Sequence, residues 1–191
     1  MQIIKHLEKK LLKDYFLIEG KLQINSKYFI DRINKGVTEE GNLSHRTNLT
    51  DKMTSFNFFN QDIYFIELMR ELVDWVDSNI KMKNYELYES WGFCSNKGSK
   101  TITHDHGQSL WSGVIFLNEH SQTLDFNEIK QNIRPSEGKF VIFSSFLNHG
   151  CERSIENYAK YGISFNFNER HNWWYLLIHS NIIIYIDLEK I

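Results

Sequence analysis

Two histidines, His104 and His106, stand two residues apart in THDHG, and a third, His149, lies downstream in FSSFLNHG. The run Thr101–His106 reads as an extended strand, on which side chains repeat with a period of two. Both imidazoles then leave one face, and Asp105 leaves the other. His149 follows a second strand-like run, Lys139–Ser145, so only folding of the chain can bring it to the pair. A neutral imidazole nitrogen is a borderline ligand suited to iron, zinc, copper or nickel. Three of them together would clamp one divalent ion. The chain has eight histidines, however, and a spacing of two arises often by chance. Scattered core or surface histidines are the competing reading.

The elements that would position these residues follow from periodicity. Met1–Gly20 is amphipathic and is read as a short helix or a lead-in to a strand. Ser26 can cap a helix in KYFIDRINKG that Gly36 would end. Val37–Lys52 lacks a period and reads as loop, with Asn42, His45, Arg46 and Asn48 as candidates for a pocket mouth. Asn60–Asn79 carries one apolar stripe, Phe65, Leu68, Met69, Leu72, Trp75 and Val76, with Asn60 as its expected cap. From Tyr85 the period changes. Tyr85–Phe93, Thr101–His106, Leu110–Leu117, Leu124–Phe126, Lys139–Ser144 and Tyr158–Phe167 are short strand candidates. Strands after helical material predict an α+β domain with a sandwich or barrel. In the last strand Lys160, Gly162, Ser164 and Asn166 share one face, which is polar for a barrel interior and suggests a ligand cavity. Tyr161, Ile163, Phe165 and Phe167 form the other face, suited to packing under helices. Trp173–Leu188 is expected to add a strand pair turning at Ser180–Asn181.

At 191 residues the chain is one domain's worth, and its core needs no disulfide. A formal net charge of -2 gives no basic field, so nucleic acid is not an expected partner. Cys94 and Cys151 are the only cysteines, which fits a reducing, cytoplasmic compartment. The N-terminal MQIIKHLEKKLLKDYF has charges where the apolar core of a signal would lie. WWYLLIHSNIIIYIDL is too short and too interrupted to span a bilayer, so no membrane is expected.

Around the histidines the sequence resembles the iron(II)/2-oxoglutarate-dependent oxygenases, above all the group common in phage and marine bacterial genomes. The likeness runs from Trp91 in ESWGF, through HDHGQSLWSGVIFL, Pro135, Gly138, KFVIF and the FSSFLNHG element, to KYGISFN. It covers Trp91–Phe167, with a weaker echo at Thr47–Ser55. Order and spacing together are more specific than any single histidine. The resemblance implies a double-stranded β-helix, a jelly roll of cupin-like type, with helices outside the larger sheet. It divides a single domain of residues 1–191 into a helical N-terminal support (1–84), a core (85–167) and a C-terminal extension packing on the core (168–191).

It also implies a chemistry. His104, His106 and His149 become the Fe(II) ligands, and 2-oxoglutarate the cosubstrate. Lys160 stands where the family places a cation for the distal carboxylate, and Ser164, or a tyrosine, offers the hydroxyl beside it. The implied reaction hydroxylates an unactivated C–H bond of a small-molecule or peptidyl substrate, with release of succinate and carbon dioxide. A homodimer is left open. The chain departs from the family in two places. The middle ligand, usually aspartate, is His106, and the family's serine two residues after the cation is Gly162. The first departure keeps open a three-histidine dioxygenase of cupin type that needs no 2-oxoglutarate. Asp105 is the carboxylate rival for that place and would need a bulge to reach it. A non-catalytic cupin-like binding module is the remaining alternative. A nucleic-acid demethylase would need a basic groove, and only Lys97, Lys100, Arg153 and Lys160 lie near the motifs.

Overall fold

The structure, a computed structural model, describes residues 2–10, 14–40, 48–80 and 85–170. Two antiparallel sheets face one another. The larger has seven strands in the order β1-β2-β9-β6-β11-β4-β3 and the smaller has four in the order β5-β10-β7-β8. The strands are β1 (Gln2–Lys10), β2 (Asp14–Lys21), β3 (Lys52–Met53), β4 (Tyr85–Ser95), β5 (Thr101–His104) and β6 (Trp111–Phe116). They continue with β7 (Leu124–Phe126), β8 (Gln131–Ile133), β9 (Lys139–Ser144), β10 (His149–Cys151) and β11 (Lys160–Glu169). Among the described residues two α-helices, α1 (Ser26–Glu40) and α2 (Ile63–Asn79), complete the fold, which is the expected α+β double-stranded β-helix. The Trp173–Leu188 strand pair expected from sequence lies outside the described residues, as do Asn42, His45 and Arg46.

The N-terminal part is more than a helical support. Gln2–Lys10 and Asp14–Lys21 pair with each other, and β2 pairs with β9 on the edge of the larger sheet. The reason lies in DYFLIEG, whose residues from Tyr15 to Gly20 are all buried. Tyr15 and Leu17 join the core between the sheets, while Phe16 and Ile18 join the core under the helices. A run buried on both faces suits a strand inside a layered fold better than an amphipathic helix.

The helices begin and end a little away from the expected residues. Asp62, not Asn60, caps α2: its Oδ1 accepts the backbone N–H of Phe65 at 3.1 Å. Asn60 instead ties down the neighbouring strand, donating to the Tyr88 carbonyl and accepting from Ser90 Oγ. Asn25 rather than Ser26 serves α1, accepting the Tyr28 N–H at 3.1 Å. Gly36 does not stop α1, which runs on to Glu40. Its use is proximity: a Cβ there would sit 2.6 Å from the Phe58 ring.

The core has two layers. Phe65, Met69, Leu72 and Val76 of α2 are buried, at the four-three-four spacing of one helical face. They share a cluster with Trp111, Ile115, Ile163, Phe165 and Phe167 on the outer face of the larger sheet. Trp111 and Phe167 stack with ring centroids 3.9 Å apart, and Phe65 meets Phe165 at 6.2 Å. The second cluster, including Phe93, Val114, Phe116, Phe126, Val141 and Phe143, fills one part of the space between the sheets. The rest of that space is the pocket.

Candidate metal centre

Strands β5 and β10 of the smaller sheet pair with His149 opposite His104. Direct cross-strand partners lie about 5 Å apart and carry their side chains to the same face, which brings these two imidazoles together. His106 arrives differently from the expected pleat. Strand β5 stops at His104, and His106 sits in the following loop. That loop is pinned to β9's end, because the His106 N–H donates to the Ser145 carbonyl at 2.8 Å. Asp105 turns to the exposed rim, where its Oδ1 accepts the Gly107 N–H at 3.1 Å.

The three histidines offer one ligand atom each, all within 4.8 Å of one another. His104 Nδ1–H can donate to the Ile102 carbonyl at 2.7 Å and His149 Nδ1–H to the Leu147 carbonyl at 2.9 Å. Such bonds fix the ring orientation and leave Nε2 as the lone-pair atom. His106 Nδ1 faces the Asn166 amide nitrogen at 3.4 Å. Phe126 and Phe143 wall in His149, with ring centroids at 5.6 and 4.7 Å.

Burial acts on all three as bases. His149 is pushed down to about 3 by desolvation, with the nearby His104 and His106 adding to the effect. His106 is pushed down to about 4 by desolvation and by His104. His104 is lowered as well, again mainly by burial. The imidazoles are therefore neutral at ordinary pH, the form a metal requires. Three neutral nitrogens fit a divalent iron, zinc, copper or nickel ion.

The histidines open onto a cavity of about 320 Å³ between the sheets. Lys160, Ser164 and Asn166 line it from β11, as the polar face of that strand requires. Lys160 is only 2% exposed. Its Nζ lies 3.4 Å from the Gln122 carbonyl and 3.4 Å from Cys151 Sγ. Among the described residues no carboxylate pairs with it. Gly162 is explained by crowding: a Cβ there would stand 2.4 Å from the Phe93 ring and 3.0 Å from the Ile115 carbonyl. A serine at this position would force the Phe93 ring to shift.

Asn48, named from sequence as a mouth residue, does line the cavity. Glu89, Ser112 and Phe56 also line it and were not anticipated. Glu89 was legible in principle, since it lies two residues before Trp91 and so shares its face. Desolvation raises its carboxyl above the usual range, and the Asn166 amide opposes that by donating to Oε1 at 2.6 Å.

No family model matches the chain, and no curated protein matches it. Solved structures do. The viral collagen prolyl hydroxylase of Paramecium bursaria Chlorella virus-1, in complex with 2OG, is 14% identical. It superposes with a TM-score of 0.63 over 80% of this chain and 94% of that one. A prolyl-4-hydroxylase of Pseudomonas putida gives 14% identity and a TM-score of 0.63 over 81% and 93% of the two chains. HygX of Streptomyces hygroscopicus, with nickel and 2-oxoglutarate bound, gives 11% and 0.54 over 80% and 82%. At these identities the likeness is one of fold.

Proposed function

We propose that the chain is a metal-dependent oxygenase working on an iron(II) ion held by His104, His106 and His149. The observation that carries this reading is the meeting of three neutral imidazoles in one pocket, in a fold shared with solved hydroxylases. A bound iron would supply dioxygen activation for oxidation of an organic substrate. The chain does the rest. The backbone carbonyls of Ile102 and Leu147 orient two ligand rings. Phe126 and Phe143 keep water from His149. The cavity holds the substrate against the triad.

The donor set, taken alone, fits a three-histidine dioxygenase that uses no 2-oxoglutarate better than it fits the two-histidine, one-carboxylate pattern. A second reading is favoured by one specific feature, Lys160. An ammonium at 2% exposure with no carboxylate partner among the described residues is costly. A dicarboxylate entering the cavity would supply the missing charge through a charge-assisted hydrogen bond, with the Ser164 hydroxyl on the same strand face. In this reading 2-oxoglutarate drives hydroxylation of an unactivated C–H bond, releasing succinate and carbon dioxide. The bound 2OG of the viral hydroxylase and of HygX lends it support. Likeness to the phage and marine bacterial group rests on the sequence motifs.

One assay separates the cases. Protein reconstituted with Fe(II) is supplied with oxygen, with and without carboxyl-labelled 2-oxoglutarate, and dioxygen uptake, succinate and labelled carbon dioxide are followed. Labelled carbon dioxide that is lost in a His149→Ala variant supports the second reading. Dioxygen uptake indifferent to 2-oxoglutarate supports the first. Absence of bound metal contradicts both and leaves a binding module.

A further inference from the structure

The polar cavity has a second unpaired charge, at the other end of β11 and of opposite sign. Strand β4 runs beside β11 with Ser95 opposite Lys160, Trp91 opposite Ser164 and Glu89 opposite Asn166. Lys160 and Glu89 are thus set apart by about six residues of strand, or roughly 20 Å, too far to neutralise one another. Among the described residues no lysine or arginine pairs with Glu89. Its one hydrogen bond on the cavity wall comes from Asn166 Nδ2.

Two further groups beside it await a donor. Asn166 is 2% exposed and its Oδ1 has no partner among the described residues. Ser112 is also 2% exposed, and its Oγ has none among those residues either. Asn166 and Ser112 are direct partners across β11 and β6, and both line the cavity. A carboxylate and two buried oxygens therefore share one corner, with the Asn166 amide donor already engaged. Trp91 flanks this corner, 6.4 Å from the His106 ring, and Phe56 meets Trp91 edge-on at 5.2 Å. Asp105 adds another negative charge at the rim.

We propose that this corner binds a cationic group of the substrate, an ammonium or a guanidinium, with Glu89 as its counter-ion and Trp91 as its aromatic wall. The assignment rests on the reading of the cavity as the active site. The chemistry is complementary throughout: an ammonium brings three donors and no acceptor, a guanidinium five. Either would satisfy Glu89, Asn166 Oδ1 and Ser112 Oγ together, and an indole face attracts cations further. A neutral or anionic substrate would leave Glu89 without a cationic partner. The cation beside Trp91 would hold the substrate near His106, so that the carbon to be oxidised faces the histidine triad.

The test uses the full chain, metal-free and loaded with Co(II), and a matched pair of probes, benzylamine and benzyl alcohol. Calorimetry should find benzylamine binding wild type about tenfold more tightly, the scale of one cation–π contact plus one ion pair. Glu89→Gln should lose most of that preference while its affinity for benzyl alcohol stays the same. In wild type alone, benzylamine should shift the Trp91 indole N–H resonance, identified by its loss in Trp91→Phe. Equal affinities in wild type, a preference undiminished in Glu89→Gln, or shifts confined to other tryptophans would overturn the proposal. Co(II) uptake, read from its absorption in the same samples, keeps the two readings apart. Amine preference without Co(II) binding would contradict the oxygenase and support this site. Co(II) binding without amine preference would do the reverse.

Discussion

Consecutive residues of β11 face two different environments. Ile163, Phe165 and Phe167 point to the helices, are at most 3% exposed and belong to one apolar cluster. Lys160, Ser164 and Asn166 point between the sheets and line the cavity. Both sides are largely buried, so burial does not distinguish them. Partnership does. Every outward side chain touches apolar neighbours, whereas Lys160 has no carboxylate and Asn166 Oδ1 no donor among the described residues. The outward face finds its partners within the fold, and the inward face carries polar groups that lack them among the described residues.

The comparison fails if the outward face can be emptied cheaply. Phe165 is fully buried and packs on Phe65 and Trp111. Phe165→Ala should cost about 3–5 kcal/mol in urea unfolding. Metal affinity of the fraction that remains folded should be unchanged. A loss below about 1 kcal/mol would show that this layer does not hold the fold.

The inward face should behave in the opposite way. Lys160→Met removes a buried unpaired charge and keeps the volume, so stability should hold or rise by about 1 kcal/mol. Under the second reading, 2-oxoglutarate affinity of the metal-loaded protein should fall by roughly 2–3 kcal/mol, as expected for a charged contact. Equal affinities by calorimetry would remove the main reason to invoke that cosubstrate.

Acid should act on the inward side through its histidines. His149 and His106 are held at about 3 and about 4 when folded, below the ordinary histidine value. The unfolded chain then binds more protons than the folded one as pH drops below about 6.5. Stability of the metal-free protein should be full above that pH and decline from about 6.5 down to about 3, the lower end set by His149. The slope for His149 should be at most roughly 1.4 kcal/mol per pH unit. Urea midpoints across this range, compared with a His149→Phe variant of flatter profile, check the sign.

The smallest effect is expected at the rim. Asp105 is exposed and bonds the Gly107 N–H, so Asp105→Asn should change stability by less than about 0.5 kcal/mol and leave metal affinity as it is. A large loss of metal would identify Asp105 as the ligand in place of His106.

What was legible in the sequence divides along the same line. The alternation in KYGISFNFN reads directly as two faces, because a strand imposes a period of two whatever surrounds it. The apolar stripe of α2 is as plain. The caps were misplaced by one or two residues because Asn25 and Ser26, or Asn60 and Asp62, have similar side-chain acceptors, and only the backbone decides between them. The DYFLIEG strand was ambiguous because burial on both faces erases the period. His106 reaches the others through a loop bond to Ser145 that no local pattern records. Glu89 was missed because a lone glutamate in YELYESWGF reads as solvated until its neighbour across the sheet is known to be Asn166.

The central claim is that three histidines hold one metal ion, and Co(II) titration of the metal-free protein tests it most directly. One equivalent should bind to wild type with a tetrahedral or five-coordinate visible spectrum. His149→Ala, shown by circular dichroism to keep its sheets, should bind none at the same concentrations. Uptake of the same equivalent by His149→Ala, or none by wild type, would contradict the account.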